Sequence, residues 1–299
     1  MKLRSRLFGL YVLFVGLYAV MLLIAPPPRI AMDRYNLTIN QLHLLELTII
    51  IPMAIIWFIA FYGYSKLRAY TDLIKDSKDG KQINRIATGV LILTIGTPFT
   101  TVASSIMTVI SQDMPNFRPT SLIIRHYLDI LVPLLAFILI SGGARGLHDL
   151  TKHRPPQYVI NAVAGIFIVI GVTYCWVILN AHNFNAAYFL PEWLVLTTIV
   201  IPYMYTWYLG MMSAYQVHAY SLKVPGIVYR RNWNLFAAGI AAIIVASIIY
   251  QYAATLTRQF SSLRLIPLLC IVYSLLALIS VGYILVALGA KKLQKIEEV

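Results

Sequence analysis

The sequence predicts an all-α membrane protein with eight transmembrane helices, and three observations lead to this fold class. Apolar residues make up 60% of the 299 residues and charged residues only 12%, about half the roughly 25% of a soluble domain. The apolar residues form continuous stretches of about 20 residues, enough to cross a bilayer as helices. Lys and Arg are concentrated in alternate loops. A soluble enzyme, a disordered chain and a disulfide-stapled secreted module are therefore excluded.

The apolar segments follow one another with short connecting loops. Each stretch is continuously apolar rather than alternating, which is typical of transmembrane helices and not of barrel strands. The first segment has the basic start and apolar middle of a signal peptide, but it has no A-x-A cleavage site and ends at three prolines, so we predict a retained helix. The eight predicted spans lie near residues 7–25, 42–64, 86–110, 121–141, 158–180, 193–217, 233–256 and 265–287.

The distribution of basic residues predicts the orientation of these spans. Of the 24 Lys and Arg residues, eighteen fall at the two termini and in the even-numbered loops, five fall in the other loops, and Arg125 lies inside a span. The positive-inside rule then places both termini in the cytoplasm of a multi-pass protein of the cell membrane. The net charge of +13 needs no nucleic acid as a partner, because anionic lipid headgroups on the cytoplasmic side account for it. A membrane or cytoplasmic protein partner stays open.

The second and sixth segments share a pattern at a fixed offset of 150 residues. The pattern T-I-x-I-P-x4-W begins at Thr48 and again at Thr198. Without a gap, the same offset matches five further residues in the first half with identical residues in the second: Ala69, Tyr70, Asn84, Ala87 and Gly89. The fourth and eighth segments match more faintly at an offset of 146, where Gly143 meets Gly289.

This pattern predicts two tandem four-helix halves, residues 1–150 and 151–299. Four spans per half is an even number, so the halves have the same orientation and are related by a pseudo-twofold axis along the membrane normal. Within them, Pro52 and Pro202 are expected to bend their helices near mid-membrane, and Gly96-Thr97-Pro98 is expected to break the third helix.

A polar cluster is predicted in the extracytoplasmic half of the membrane. Charges inside spans cost roughly 2.5–3.5 kcal/mol each on insertion scales, yet Glu46, Arg125 and Asp129 lie there. Two histidines accompany them, in the patterns His43-Leu-Leu-Glu46 and His126-Tyr-Leu-Asp129. A spacing of three places each His and carboxylate on one helical face. At about 1.5 Å per residue, Glu46 lies roughly 6 Å and Asp129 roughly 12 Å below the helix starts, in one layer.

Three interpretations of this cluster remain open. An ion- or solute-binding site would use Glu46, Arg125, His126 and Asp129, since intramembrane charges mark substrate and ion pathways. A divalent metal site, with zinc as the candidate, would use His43, Glu46, His126 and Asp129. In a purely structural role, Arg125 and Asp129 would neutralise each other along one helix, because they are four residues apart.

Aromatic and amide side chains accompany the cluster in the second half. Tyr203 and Trp207 are four residues apart in the middle of the sixth span and share a face, where they either line a cavity or pack in the core. Tyr250 and Gln251 lie at a similar depth on the seventh span.

The favoured function is a transporter or permease for an ion or small polar solute. A two-half architecture, helix breaks near the midplane and buried charges are typical of such proteins. The alternatives are an intramembrane metal-dependent enzyme acting at the outer leaflet and a non-catalytic sensor or scaffold subunit. An enzyme is less favoured, since the sequence contains no G-x-x-x-x-G-K-[ST] loop and no G-x-S-x-G elbow.

Overall fold

The computed structural model describes residues 2–24, 38–113, 118–150, 157–180, 192–259 and 265–297, apart from some side chains near the helix ends. These ranges form eight helical segments and no strand. The segments are α1 (Lys2–Ile24), α2 (Ile39–Leu73), α3 (Lys78–Asp113), α4 (Arg118–Leu150), α5 (Gln157–Asn180), α6 (Glu192–Val195, a π-helical turn Leu196–Val200, then Ile201–Ser221), α7 (Ile227–Gln259) and α8 (Leu265–Glu297). The predicted all-helical class is confirmed.

Five of the described helices are long and apolar enough to cross a membrane. The qualifying stretches are Ile50–Leu73, Lys78–Met107, Tyr127–Leu150, Ile227–Tyr252 and Tyr273–Lys295. Two shorter apolar stretches, Arg6–Met21 and Ile160–Trp176, belong to α1 and α5. This composition is that of a membrane-embedded helical protein.

Several helices continue beyond the predicted spans, because hydropathy marks only the apolar part of a helix. Helix α2 continues nine residues past the predicted end, to Leu73. It begins with a capping box, in which the Thr38 hydroxyl accepts a bond from the Gln41 amide and the Gln41 side chain accepts one from the Thr38 amide. Local polar chemistry of this kind sets the helix ends.

Pro52 and Pro98 both lie inside continuous helices. Helix α2 is continuous through Pro52, and α3 is continuous through Pro98, so the predicted break of the third helix is wrong. The Thr100 and Thr101 hydroxyls donate to the Thr97 carbonyl at 3.0 and 2.9 Å, beside the proline. Ser and Thr side chains satisfy backbone groups near a proline in this way, which lets an apolar helix tolerate it.

Six of the helices pack in a ring. Each contacts the next in the order α2, α3, α4, α6, α7, α8, and α8 returns to α2. Helix α1 packs against α2 and α3, and α5 packs against α6 and α7. Every one of these neighbour relations among the described helices therefore has a counterpart four helices later.

The pair α3 and α4 is held by close backbone approach at glycines. A Cβ added at Gly89 would lie 2.6 Å from the Ala136 carbonyl oxygen, and one at Gly143 would lie 2.5 Å from the Gln82 carbonyl oxygen. Real side chains do not approach a backbone so closely, so both positions require glycine. Small residues at helix contacts are the usual basis of packing between membrane helices.

The pair α7 and α8 repeats these contacts at the corresponding positions. A Cβ at Gly239 would lie 2.7 Å from the Gly282 carbonyl oxygen, and one at Gly289 would lie 2.9 Å from the Asn232 carbonyl oxygen. Relative to the first pair, the α7 residues are displaced by 150 and the α8 residues by 146. These are the two offsets found in the sequence.

A small apolar cavity lies between α3, α4, α7 and α8. Its lining consists of four pairs related by the same offsets: Val90 and Ile240, Leu93 and Ile243, Phe137 and Tyr283, and Ile140 and Val286. This lining leaves little to bind a polar solute.

Neighbouring glycines on α4 test this packing. Gly143→Ala should lower stability by about 1–3 kcal/mol, because its Cβ meets the Gln82 backbone. Gly142→Ala, with nothing within 4 Å of its Cβ, should be neutral or stabilise by up to about 1 kcal/mol. Gly289→Ala on α8 should behave like Gly143→Ala. Thermal unfolding in detergent measures all three, and equal midpoints for the two α4 variants would contradict the close contact.

Candidate solute-binding site

Four of the predicted site residues have side chains outside the described part of the structure: His43, Glu46, Arg125 and His126. Their helices, α2 and α4, each pack against α3. Among the residues that are described, no group of three or more His, Cys, Asp or Glu side chains could hold a metal ion. The four-ligand metal site and the roles of these side chains stay predictions.

Asp129 is the predicted site residue whose surroundings the structure describes. It is half-buried on α4, eleven residues after Arg118, which is about 16 Å along the helix. Tyr203 lies at the same distance from the start of α6, which packs against α4. The Tyr203 side chain is 3% exposed, and its hydroxyl interacts electrostatically with Asp129 and hydrogen-bonds to Gln251. Asp129 and the Tyr203 hydroxyl therefore lie at a similar level on neighbouring helices.

Four aromatic side chains on α5, α6 and α7 pack against one another; we call them the aromatic cluster (Tyr174, Tyr203, Trp207 and Tyr252). The Tyr174 ring meets those of Trp207 and Tyr252 at 5.3 and 5.2 Å between centroids. The Tyr203 ring stacks on Trp207 at 5.7 Å. Such pairs add about 0.5–1.5 kcal/mol each beyond the area they bury. The cluster joins three helices.

Tyr252 fixes α5 to the ring of helices. Its hydroxyl lies 2.6 Å from Thr173 Oγ1 and donates to the Ile170 carbonyl, both on α5. Elsewhere α5 carries exposed apolar side chains such as Ile168, Val169 and Val172. The bonds of Tyr252 thus join α5 to α7 close to Tyr174.

The π-helical turn of α6, Leu196–Val200, precedes this cluster directly. Pro202 has no amide hydrogen, so the regular helical bond to the Thr198 carbonyl cannot form. The Thr198 hydroxyl donates to the Leu194 carbonyl at 2.6 Å, and the Thr206 hydroxyl donates to the Pro202 carbonyl at 2.8 Å. Single π turns inside helices are frequent at functional sites. The corresponding stretch of α2 is ordinary α-helix.

Part of this arrangement has a counterpart in the first four helices. Trp57 occupies the position 150 residues before Trp207, and both indoles are buried, at 2% and 0% exposure. The Tyr18 ring on α1 meets Trp57 edge-on at 5.6 Å, as the Tyr174 ring on α5 meets Trp207. Neither indole N–H has a hydrogen-bond partner among the described residues. The same Tyr–Trp packing therefore occurs in the first and in the last four helices.

The polar part of the arrangement has no such counterpart. Met53 stands 150 residues before Tyr203, and Val102 stands 150 residues before Tyr252. Leu275, at the offset of 146, corresponds to Asp129. Asp129 comes from the first four helices and the two tyrosines from the last four, and the positions that correspond to them carry two aliphatic residues and a methionine.

At the other end of the bundle, aromatic rings close the centre. We call this the basic end, since the α2–α3 and α6–α7 turns with their Lys and Arg residues lie there. The basic-end plug consists of Tyr70, Tyr220 and Trp233, with Trp233 at 6.3 Å from the Tyr70 ring and 5.3 Å from the Tyr220 ring. All three side chains are buried. The plug joins α2, α6 and α7 across the bundle.

A hydrogen bond secures the plug to α3. The Tyr220 hydroxyl donates to Asp79 Oδ2 at 2.7 Å. Burial, and then this bond, raise the pKa of Tyr220 well above its ordinary value, so the hydroxyl stays a donor. Two further bonds lie nearby at corresponding positions: Arg68 to Asn84 at 2.7 Å, and His218 to Asn234 at 2.8 Å.

Comparison with known proteins leaves this geometry as the basis for assigning a function. No protein-family model matches the chain, and neither curated proteins nor solved structures provide a match.

Sequence reasoning found Tyr203, Trp207, Tyr250 and Gln251 but missed Tyr174, Tyr252 and the plug. Tyr174 and Tyr252 lie in apolar stretches where a tyrosine resembles an interfacial anchor, and only the packing of α5 against α6 and α7 brings them inward. For the plug a signal was present, because Tyr70 and Tyr220 are identical residues at the offset of 150.

Neutralising Asp129 separates a binding role from a structural one. A carboxylate confined beside buried rings is costly to bury, so Asp129→Asn should leave stability unchanged or raise it by about 1 kcal/mol. The stability of Asp129→Asn and of the wild type is measured by thermal unfolding in detergent. A loss of about 3 kcal/mol or more would show that Asp129 is half of a structural pair with Arg125.

A double-mutant cycle tests the bond between the plug and α3. Tyr220→Phe and Asp79→Asn should each destabilise, with a coupling of about 1.5–3 kcal/mol, because the bond is to a charged group. Tyr215→Phe, on the same helix, is the matched control and should cost far less. Additive effects in denaturant unfolding would mean that the bond contributes nothing.

Proposed function

We propose that the chain is a membrane transporter that binds an ion or small polar solute at Asp129 and Tyr203. The observation that carries the proposal is an intramembrane carboxylate at the level of a buried phenol on the neighbouring helix, directly after a π turn. Charged groups inside membrane helices mark substrate and ion pathways by default, because their burial is costly. The predicted residues Glu46, Arg125 and His126 would complete the site from α2 and α4.

We also propose that the chain consists of two tandem four-helix halves, residues 1–150 and 151–299. The ring order of the helices and the paired glycine contacts support this division. So do the paired lining residues of the central cavity, which come from both halves at the sequence offsets. With four spans each, the halves share one orientation, and the axis between them lies along the membrane normal.

In this proposal the basic end faces the cytoplasm, and the site opens to the outside of the cell membrane. The positive-inside rule supports the orientation. The basic-end plug supports the direction of access, since buried rings close that end while Asp129 lies in the opposite third of α4. Anionic lipid headgroups would meet the basic residues on the cytoplasmic side, at about 1 kcal/mol per residue near the surface.

Ion flux into proteoliposomes tests the transport proposal. Purified chain is reconstituted, and currents on a solid-supported membrane are recorded for protons, alkali cations, organic cations, amino acids and sugars. Asp129→Asn should lower the current for the transported solute at least about tenfold, as expected for loss of a hydrogen bond to a charged group. Asp149→Asn removes the same charge from the exposed basic end of the same helix and should leave the current unchanged.

Three outcomes would contradict this assignment or favour one of the alternative functions. Current that survives Asp129→Asn together with Glu46→Gln would remove the proposed site. Stoichiometric zinc in elemental analysis, lost in His126→Ala, would favour the metal-dependent enzyme. No current for any solute, with a second protein that co-purifies in fixed ratio, would favour the scaffold.

A further inference from the structure

The motif T-I-x-I-P-x4-W has two different backbone conformations within this chain. In α2 the stretch from Thr48 to Pro52 is regular α-helix. In α6 the threonine of the motif, Thr198, lies inside the π-helical turn Leu196–Val200. The two pentapeptides, Thr-Ile-Ile-Ile-Pro and Thr-Ile-Val-Ile-Pro, differ by a single methylene group. The surroundings of each helix, rather than the local sequence, therefore select between the two conformations.

We propose that the beginning of α6 is a two-state element, in which the π turn Leu196–Val200 converts to the regular α-helix that α2 has at the corresponding place. Most residues of the motif are β-branched and have only a modest helix propensity, so the sequence itself favours neither conformation strongly. Two conformations of one sequence that differ little in free energy are the condition for a switch. The two states do not depend on the proposed function.

The conversion would change the direction in which Thr198 faces. A π turn contains one residue more than an α turn, and one residue corresponds to about 100° of rotation around the helix. Because the two motifs align without a gap, conversion to α-helix would turn Thr198 towards the orientation that Thr48 has in α2. In the present state the Thr198 hydroxyl donates to the Leu194 carbonyl at 2.6 Å, within its own helix.

The corresponding threonine of α2 bonds instead to a neighbouring helix. The Tyr273 hydroxyl on α8 donates to Thr48 Oγ1. The offset of 146 relates Tyr273 to Tyr127 on α4, and α4 packs against α6 as α8 packs against α2. Tyr127 and Thr198 both belong to the part of the chain that the structure describes, and no hydrogen bond joins them. A bond between Tyr127 and Thr198 is therefore what the α-helical state would gain.

The conversion would take place next to the residues of the proposed site. Tyr127 precedes Asp129 by two residues on α4, and Thr198 precedes Tyr203 by five residues on α6. A Tyr127–Thr198 bond would join α4 to α6 at this level, whereas in the present state the Tyr127 side chain is 40% exposed. One consequence rests on the proposed function: in a transporter, the bonded state is the one that closes access to the site between α4 and α6.

Fluorine NMR of the full-length protein in detergent tests for the two states. A trifluoromethyl tag is attached to Thr197→Cys, in a chain that also carries Cys175→Ala and Cys270→Ala. Thr197 is exposed within the π turn, and its described hydrogen bonds are to backbone carbonyls of the same helix. Two resonances should appear, one for each conformation. The same tag on Leu47→Cys, at the corresponding exposed position of α2, is the matched control and should give one resonance.

Two substitutions should shift the ratio of these resonances in opposite directions. Pro202→Ala restores an amide that can donate to the Thr198 carbonyl and removes a ring that crowds it, so the α-helical state should gain about twofold to tenfold. Tyr127→Phe removes the bond that only the α-helical state can form, so this state should lose by a similar factor. Pro52→Ala and Tyr273→Phe are the matched controls, and neither should alter the resonances of the tag on α6.

The outcomes separate the two-state inference from the transport proposal. A single resonance at residue 197 of the otherwise wild-type chain, or a ratio that does not respond to Tyr127→Phe, would overturn the inference. Tyr127→Phe decides by itself if Pro202→Ala shows no thermal transition. Solute current without two states would leave the transporter intact and contradict the switch, whereas two responsive states without any current would support the switch and contradict transport.

Discussion

Close backbone contact between paired helices is the constraint on which the rest of this structure depends. Apolar helices gain little from hiding their surfaces from lipid that is equally apolar, so they associate through tight van der Waals contact where side chains are small. Gly89 and Gly143 provide such contact between α3 and α4, and Gly239 and Gly289 provide it between α7 and α8. Helices α2 and α6 complete the ring around these two pairs, and α1 and α5 pack against it.

Packing contacts that recur at the sequence offsets leave other positions free to differ in chemistry. The glycine contacts and the Tyr–Trp pairs occur at corresponding positions in the first and the last four helices, so they carry the packing. Polar groups are expensive in this setting, and an extra carboxylate or phenol stays only where packing and hydrogen bonds hold it. The π turn, the Thr173–Tyr252 bond and the Gln251–Tyr203 bond are the local features that do so around Asp129. The corresponding positions have an ordinary helical turn on α2 and the side chains of Met53, Val102 and Leu275.

Much of the fold was accessible from the sequence, because hydropathy and charge distribution act on single helices. The eight segments and the offsets of 150 and 146 follow from composition and motif alone. The corresponding offset between α1 and α5 is 156, relating Tyr18 to Tyr174, and it escaped notice because their apolar residues differ. The site was only partly predictable. The spacings of His and carboxylate predict that these side chains lie in a common layer. Spacing on two helices does not reveal which helix lies between them. In the structure, α2 and α4 both pack on α3.

Helix α6 connects the aromatic cluster to the basic-end plug. Its straight part, Ile201–Ser221, begins directly after the π turn and carries Tyr203 near one end and Tyr220 near the other. These residues are seventeen positions apart, about 26 Å along the helix. Sharp bends in helices are often found at π turns. Any bend there that moves Tyr203 relative to Asp129 also moves the Tyr220 hydroxyl relative to Asp79, which belongs to α3. The polar site and the basic-end plug are thus mechanically joined by one helix.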